Sequence, residues 1–192
     1  MPAARMAEIV GPAVAACRGV GAFNVIGIEH AEAIVAGAEA AGAPVVLQVS
    51  QNCVAYRGAL RPLAGACAAI AGSAAVPVAL HLDHATNTDL VREAADQGFG
   101  SVMYDGSALD YEENVRATAR AARWCQKRGM WVEAELGEIG GKDGVHSPGA
   151  RTDPADAARY VDATGVDALA VAAGSSHAMS PVSRTASRVS IA

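Results

Sequence analysis

The 192-residue chain is poor in aromatic residues and has no dense block of charge of either sign. Aromatic residues make up 4% of the sequence, and the net charge is −5. A core built mostly from alanine and branched aliphatic residues suits helices that pack closely against a parallel sheet. The dispersed charge gives no support for nucleic acid or an anionic membrane as a partner.

Several other signals are also missing. The four cysteines (Cys17, Cys53, Cys67 and Cys125) contain no C-x-x-C pair and are interpreted as thiols in a reducing compartment. No G-x-G-x-x-G follows the first predicted strand, which disfavours a dinucleotide-binding fold. There is no uninterrupted apolar run of roughly 18 residues, and the N-terminus lacks a basic-then-apolar signal. We therefore expect a cytoplasmic protein without a membrane span.

Strand-like and helix-like segments alternate along the chain, separated by glycine, aspartate or proline. This alternation is typical of βαβ units with a parallel sheet. It fits either a (β/α)8 barrel that is incomplete after about six units or an open doubly wound sheet, and the missing glycine motif favours the barrel. Strands are predicted at 23–26, 45–49, 76–82, 101–104, 130–136 and 167–172, and helices at 4–17, 29–41, 60–70, 89–97, 111–128 and 154–164.

The chain is predicted to form one domain followed by a tail. Residues 1–179 contain all the alternating segments and are assigned to the partial barrel. Residues 180–192 are polar and basic, without helical or strand periodicity, and are predicted to be an aberrant, disordered tail.

Acidic and imidazole groups lie at the ends of four predicted strands. The motif His-Leu-Asp-His at 81–84 ends the third, Asp105 follows the fourth, Glu133 and Glu135 lie on the fifth, and His177 follows the sixth. In barrel proteins the chemistry is located at this end of the strands. The set predicts a metal site with an acid–base partner.

His84 and His177 supply two imidazoles, and catalytic zinc takes about three protein ligands plus an open position. Neighbouring side chains of a straight strand point to opposite faces, so Asp83 and His84 can serve one site only if the chain bends there. We predict that bend. The alternative for His84 is a structural histidine, and that for Asp83 is a helix cap or the partner of an imidazole tautomer.

The carboxylates carry similar alternatives. Glu133 and Glu135 alternate, so both point to one side of the strand, where burial is costly without a cation or hydrogen-bond donors. Asp105 is either a site residue or a turn former before Gly106. The glycine-rich segment 137–149 is predicted to be a mobile lid, with a surface loop as the alternative.

Two other histidines and one glycine complete the set of candidate residues. His146 and His30 are read as a solvated and a structural histidine, respectively. Gly174, followed by two serines, offers backbone N–H groups to an anion.

Six segments in this order and spacing carry a family resemblance: 21–25 (GAFNV), 81–84 (HLDH), 101–107 (SVMYDGS), 132–137 (VEAELG), 164–171 (TGVDALAV) and 174–177 (GSSH). The chain resembles the class II (zinc-dependent) fructose-bisphosphate aldolase family, including its tagatose-bisphosphate relatives, from about residue 6 to 179. The resemblance implies a homo-oligomeric (β/α)8 barrel. It also implies an aldehyde-lyase that cleaves fructose or tagatose 1,6-bisphosphate reversibly to dihydroxyacetone phosphate and glyceraldehyde 3-phosphate.

The resemblance also implies roles for individual residues. His84 and His177 match zinc ligands, with Asp105 and Glu135 as acidic groups at the metal, and Asp83 matches the acid–base residue. Asn24 and Ser50 match positions that line the substrate site, and Gly174 matches a backbone contact to phosphate or to a monovalent cation.

The family pattern includes a third zinc histidine on a seventh strand, and this sequence has no histidine after His177. We therefore expect little or no turnover by this chain alone. Two alternatives remain open, an inactive fragment of the family and a metal-independent barrel enzyme that acts on a phosphorylated sugar.

Overall fold

A computed structural model describes residues 3–136 and 152–172. The segments predicted as lid (137–149) and tail (180–192), together with His146, Gly174 and His177, lie outside the described residues. The elements in chain order are α1 (Met6–Ala15), β1 (Gly21–Asn24), α2 (Ile28–Ala41), β2 (Val45–Ser50), α3 (Gln51–Arg57), α4 (Arg61–Ser73), β3 (Val78–Ala85), α5 (Thr88–Asp96), β4 (Ser101–Tyr104), α6 (Tyr111–Gln126), β5 (Trp131–Glu135), α7 (Pro154–Thr164) and β6 (Ala168–Ala170).

The six strands form one parallel sheet in which each strand pairs with the next one along the chain. A doubly wound sheet reverses its strand order near the middle, whereas a barrel does not. The sequential order therefore confirms the prediction of an incomplete barrel. In the part of the chain that the structure describes, β1 and β6 form the two edges of the sheet.

The outer face of the sheet packs against the helices. Leu47, Leu80 and Val102 are almost fully buried there. The helices oppose them with small side chains that allow close approach, among them Ala31, Ala64, Ala94 and Ala122, all 0% exposed. Burying one large aliphatic side chain stabilises a fold by about 1.5–3 kcal/mol. Close packing of aliphatic side chains against small ones thus stabilises a core that contains few aromatic residues.

Helix α1 covers the inner face of the sheet at its amino end. Met6 and Ile9 pack there against Val46 and Ala79 in a separate apolar cluster. The amide of Ala4 fixes the start of this segment by donating a 2.8 Å hydrogen bond to the carbonyl of Val78. The amino end of the inner face is therefore apolar where α1 covers it, and the polar side chains lie nearer the carboxyl end.

Two of the predicted helix starts are confirmed by capping hydrogen bonds. The Asn87 side chain accepts a 2.8 Å bond from the amide of Asp89 at the start of α5. Asp153 caps α7 in the same way, with Pro154 in the first turn. His30 is structural as predicted, because its Nδ1 accepts a 3.0 Å bond from the amide of Gly27. No helix in the described ranges is long and apolar enough to span a membrane.

Three features differ from the sequence prediction. Strand β1 was predicted at 23–26, but it spans Gly21–Asn24. Helix α3 was not predicted; Ser50 caps it by accepting a 3.1 Å bond from the amide of Cys53, and Gly58 ends it with φ = 83°. Strand β3 was predicted to end at Leu82, but it continues to Ala85. Asp83 and His84 therefore lie within the last residues of a strand rather than after it.

The thiols provide a test of this packing. Cys17 is exposed, whereas the other three cysteines are buried, and burial raises the pKa values of Cys67 and Cys125 to about 11. Because the thiolate is the reactive form, we expect one thiol per chain to react rapidly with a disulfide reagent at pH 8, and all four after unfolding in urea. Cys17→Ser should remove the fast phase. A second fast thiol in the native protein would contradict this packing.

Candidate metal centre and active site

A β-bulge at His84 shapes the carboxyl end of β3. Leu82 pairs with Val102, and Ala85 pairs with Tyr104, so three steps along β3 oppose two along β4. His84 has φ = 49°, in the left-handed region that non-glycine residues seldom adopt and that costs ~1–3 kcal/mol. The extra residue provides the bend that the sequence required. It brings Asp83 and His84 to the same site.

His84 contacts two carboxylates from neighbouring strand ends. Its Nδ1 lies 3.1 Å from Asp105 Oδ2 and 3.3 Å from Glu135 Oε2. Asp105 and Glu135 are 4% and 2% exposed, whereas the His84 side chain is 45% exposed. One ligand atom from each of the three residues lies within 4.8 Å of the others. The fold thus gathers three of the predicted site residues at one point.

The two carboxylates hold His84 in its charged form. Hydrogen bonds to Asp105 and then to Glu135 raise the pKa of His84 to about 10, against the opposing effect of burial. At neutral pH the imidazolium therefore offers one positive charge to two buried acids. Buried carboxylates require compensating charge, and a divalent cation would supply more of it.

The donor set is suited to zinc. Imidazole nitrogen and carboxylate oxygen are both zinc ligands, and ligands about 2.0–2.2 Å from a tetrahedral ion stand roughly 3.4 Å from one another. The two contacts of His84 Nδ1, at 3.1 and 3.3 Å, are close to that separation. Since all three ligand atoms lie within 4.8 Å of one another, these residues fit a zinc ion.

Asp105 was predicted to be either a site residue or a turn former, and its two carboxylate oxygens make both kinds of contact. Oδ1 accepts hydrogen bonds from the Ser107 amide at 3.0 Å and the Ser107 hydroxyl at 2.6 Å, as in a turn. Oδ2 contacts His84 at 3.1 Å. The turn fixes the carboxylate while one oxygen faces the cluster.

Asp83 lies beside this cluster, 6% exposed. Burial raises its pKa, while the charge of His84 and a hydrogen bond with the Gln48 side chain lower it. Asn87 caps α5, so the interpretation of Asp83 as that cap is wrong. Asp83 is placed as a buried carboxylate next to a histidine with two acidic neighbours.

Below Asp83, the inner face of the sheet contains a polar contact that sequence reasoning missed. His81 Nδ1 lies 2.7 Å from the Ser101 hydroxyl, and its Nε2 lies 3.7 Å from Glu133 Oε2. Burial lowers the pKa of His81 to about 4, so the ring is neutral, and burial with the charge of Asp83 raises the pKa of Glu133 to about 7. The two-residue period that places His81 on the same face as Asp83 was the available signal.

A second missed contact holds the segment after the bulge. Gln51, the first residue of α3, donates a 2.8 Å bond from Nε2 to the Thr86 hydroxyl. Its Oε1 accepts bonds from the amides of Thr86 and Asn87 at 3.0 and 3.2 Å. Because α3 was not predicted, nothing in the sequence indicated this contact.

The predicted substrate-lining residues also lie at the carboxyl end of the sheet. Asn24 is exposed at the end of β1, and Ser50 is the register partner of Asp83 at the end of β2. Ser50 also caps α3 through its hydroxyl. The structure thus places Asn24, Ser50, Asp83, His84, Asp105 and Glu135 at the carboxyl ends of five adjacent strands.

Comparison with known proteins gives consistent results. The family model for class-II fructose-bisphosphate aldolase matches residues 4–189. A fructose-bisphosphate aldolase of Giardia intestinalis is 39% identical over 178 residues, which are 92% of this chain and 55% of that protein. A 6-phospho-5-dehydro-2-deoxy-D-gluconate aldolase of Bacillus velezensis is 39% identical over 161 residues, 82% of this chain and 56% of that protein.

A solved structure shares the fold. The YdjI aldolase of Escherichia coli K12 superposes with a TM-score of 0.81 at 32% identity, over 92% of this chain and 64% of that one. This chain therefore spans between 55% and 64% of the length of these three relatives. Since the family match covers nearly all of its residues, the chain belongs to the class-II fructose-bisphosphate aldolase family.

Proposed function

We propose that this chain carries the metal-binding and acid–base residues of a class II ketose-bisphosphate aldolase. The reaction is the reversible cleavage of fructose or tagatose 1,6-bisphosphate to dihydroxyacetone phosphate and glyceraldehyde 3-phosphate. The observation that carries the proposal is the contact of His84 with two buried carboxylates, Asp105 and Glu135, beside Asp83.

His84, Asp105 and Glu135 are the described residues that would hold Zn²⁺, and His177 is proposed as a further ligand. A bound divalent cation would polarise the substrate carbonyl and stabilise the negative charge that develops on its oxygen. The bulge orients His84, and the Ser107 turn orients Asp105. These residues bind and orient, and the proton transfer is assigned to another group.

Asp83 is proposed to be the acid–base residue. In the cleavage direction its carboxylate takes the proton of the C4 hydroxyl, the C3–C4 bond breaks, and C4 becomes the aldehyde carbon. The electron pair of that bond stays with the dihydroxyacetone phosphate half, which takes a proton from solvent at C3. Asp83 releases the proton that it received to solvent, so no net proton is consumed. Asp83 is 6% exposed, so the carboxylate is largely shielded from water.

The remaining assignments rest on the family resemblance. Asn24 and Ser50 are proposed to bind substrate hydroxyl groups, because both lie at the carboxyl end of the sheet, as Asp83 does. Gly174 is proposed to contact a phosphate group or a monovalent cation. A homo-oligomer in the cytoplasm is the proposed state, and the four free cysteines suit that compartment.

Zinc binding is the first prediction. We expect the chain, dialysed against Zn²⁺ and then buffer, to retain about one zinc ion that EDTA removes. The isosteric double variant Asp105→Asn/Glu135→Gln should bind at least ~10-fold more weakly, because two anionic donors are lost. The control is Asp89→Asn, which changes an exposed carboxylate paired with Arg92. Equal affinity in the double variant and in this control would contradict the assignment.

The second prediction separates the roles of Asp83 and His84. We expect the zinc-loaded chain to release dihydroxyacetone phosphate from fructose or tagatose 1,6-bisphosphate at most slowly, with any release sensitive to EDTA. Asp83→Asn should retain zinc and lower the rate by ~10²–10⁴-fold, because the proton acceptor is lost. His84→Ala should lose both zinc and activity.

Coupled measurement of dihydroxyacetone phosphate, with zinc content determined on the same samples, tests these outcomes. An unchanged rate in Asp83→Asn, or a release that survives EDTA, would overturn the mechanism. The absence of any release by the zinc-loaded chain would support the inactive fragment instead.

A further inference from the structure

A buried polar cluster lies between α6 and α7, outside the residues assigned above. Asn114, Thr118 and Tyr160 are 1%, 0% and 0% exposed. The Tyr160 hydroxyl donates to Asn114 Oδ1 at 2.7 Å, and the Thr118 hydroxyl donates to the same oxygen at 2.8 Å. Buried polar groups at such depth are costly unless they are satisfied, and these three satisfy one another.

The two hydroxyl donors determine which way the Asn114 amide points. Because Oδ1 accepts from Tyr160 and Thr118, Nδ2 is directed to the end of β5. There it donates to the carbonyl of Glu135 at 3.0 Å and contacts that of Leu136 at 3.4 Å. The Tyr160 hydroxyl also lies 3.4 Å from the Glu135 carbonyl, so the shorter Asn114 bond is the main contact that holds the backbone of this proposed metal ligand.

The same amide also rests against the backbone beside the other carboxylate. A Cβ atom added to Gly106 would lie 2.3 Å from Asn114 Oδ1, far inside van der Waals contact. Gly106 directly follows Asp105, so Asn114 touches the backbone at both strand ends. Direct pairing between β4 and β5 ends at Tyr104 and Ala134, one residue before each carboxylate.

We propose that Asn114, oriented by Tyr160 and Thr118, is a positioning residue that sets the spacing of the Asp105 and Glu135 carboxylates around His84. Where the strand pairing ends, the Asn114 amide lies between the two strand ends, hydrogen-bonded to the backbone after β5 and packed against Gly106 after β4. The proposal rests on the proposed function for its metal. The contacts of Asn114 themselves do not depend on a bound ion.

Matched hydroxyl variants test it. Thr118→Val removes a hydroxyl that orients Asn114. Thr164→Val removes another buried hydroxyl, which donates to the Tyr160 carbonyl at 2.7 Å and does not touch the strand ends. Asn114→Leu removes the amide at similar volume, and Thr118→Ser retains the hydroxyl.

Zn²⁺ affinity, by competition with a chelator, and the visible spectrum of the Co²⁺-loaded chain are the metal readouts. We expect Asn114→Leu to lower zinc affinity ~10–100-fold, Thr118→Val and Tyr160→Phe to lower it several-fold, and all three to alter the Co²⁺ spectrum. Thr118→Ser and Thr164→Val should match the unmodified chain in zinc affinity and in the Co²⁺ spectrum. Thr164→Val should nevertheless lower the midpoint of urea unfolding about as much as Thr118→Val does.

Hydrogen exchange on the metal-free chain provides a readout that does not depend on zinc. Exchange in peptides covering 104–107 and 133–136 should be faster in Asn114→Leu than in Thr164→Val. Unchanged affinity and unchanged local exchange in Asn114→Leu would overturn the positioning role while leaving the proposed function intact. If the unmodified chain binds no zinc, the proposed function fails, and the exchange comparison alone decides the role of Asn114.

Discussion

The burial of two carboxylates against one histidine is the constraint on which the rest of this structure depends. Asp105 and Glu135 are almost completely removed from water, and both lie within 3.3 Å of His84 Nδ1. Two buried carboxylates that contact the same imidazole nitrogen repel each other when both are ionised, and a cation between them relieves that repulsion. The protonated imidazole provides one in the chain alone, and the same geometry suits a divalent metal ion.

The bulge in β3 links the fold to this constraint. In a regular strand His84 would point away from Asp83, toward the helices, where its charge would face the apolar core. The extra residue and the left-handed backbone turn His84 to the carboxyl end of the sheet. The contacts of His84 with the two acids, and those of Gln51 with the segment that follows, offset the backbone strain.

The alternation of strands and helices was predictable because each element has its own hydrophobic period and its own end signals. The bend at His84 followed from two functional residues side by side on a strand. Helix α3 was missed because it is short, and its capping serine belongs to the preceding strand. Asn114 and Tyr160 were missed because polar residues on amphipathic helices resemble solvent-facing ones, and these two lie 46 residues apart. The roles of Asp83 and the metal ligands, as well as the proposed site residues Gly174 and His177, stay predictions.

X-ray absorption spectroscopy of the zinc-loaded chain tests the central claim most directly, because it identifies the atoms bound to the ion. Ligation at the His84 cluster predicts nitrogen and oxygen neighbours at about 2.0–2.2 Å, with the scattering pattern of an imidazole ring and no sulfur. Neighbours at about 2.3 Å, the distance expected for thiolate sulfur, would place the metal on cysteine and contradict the account.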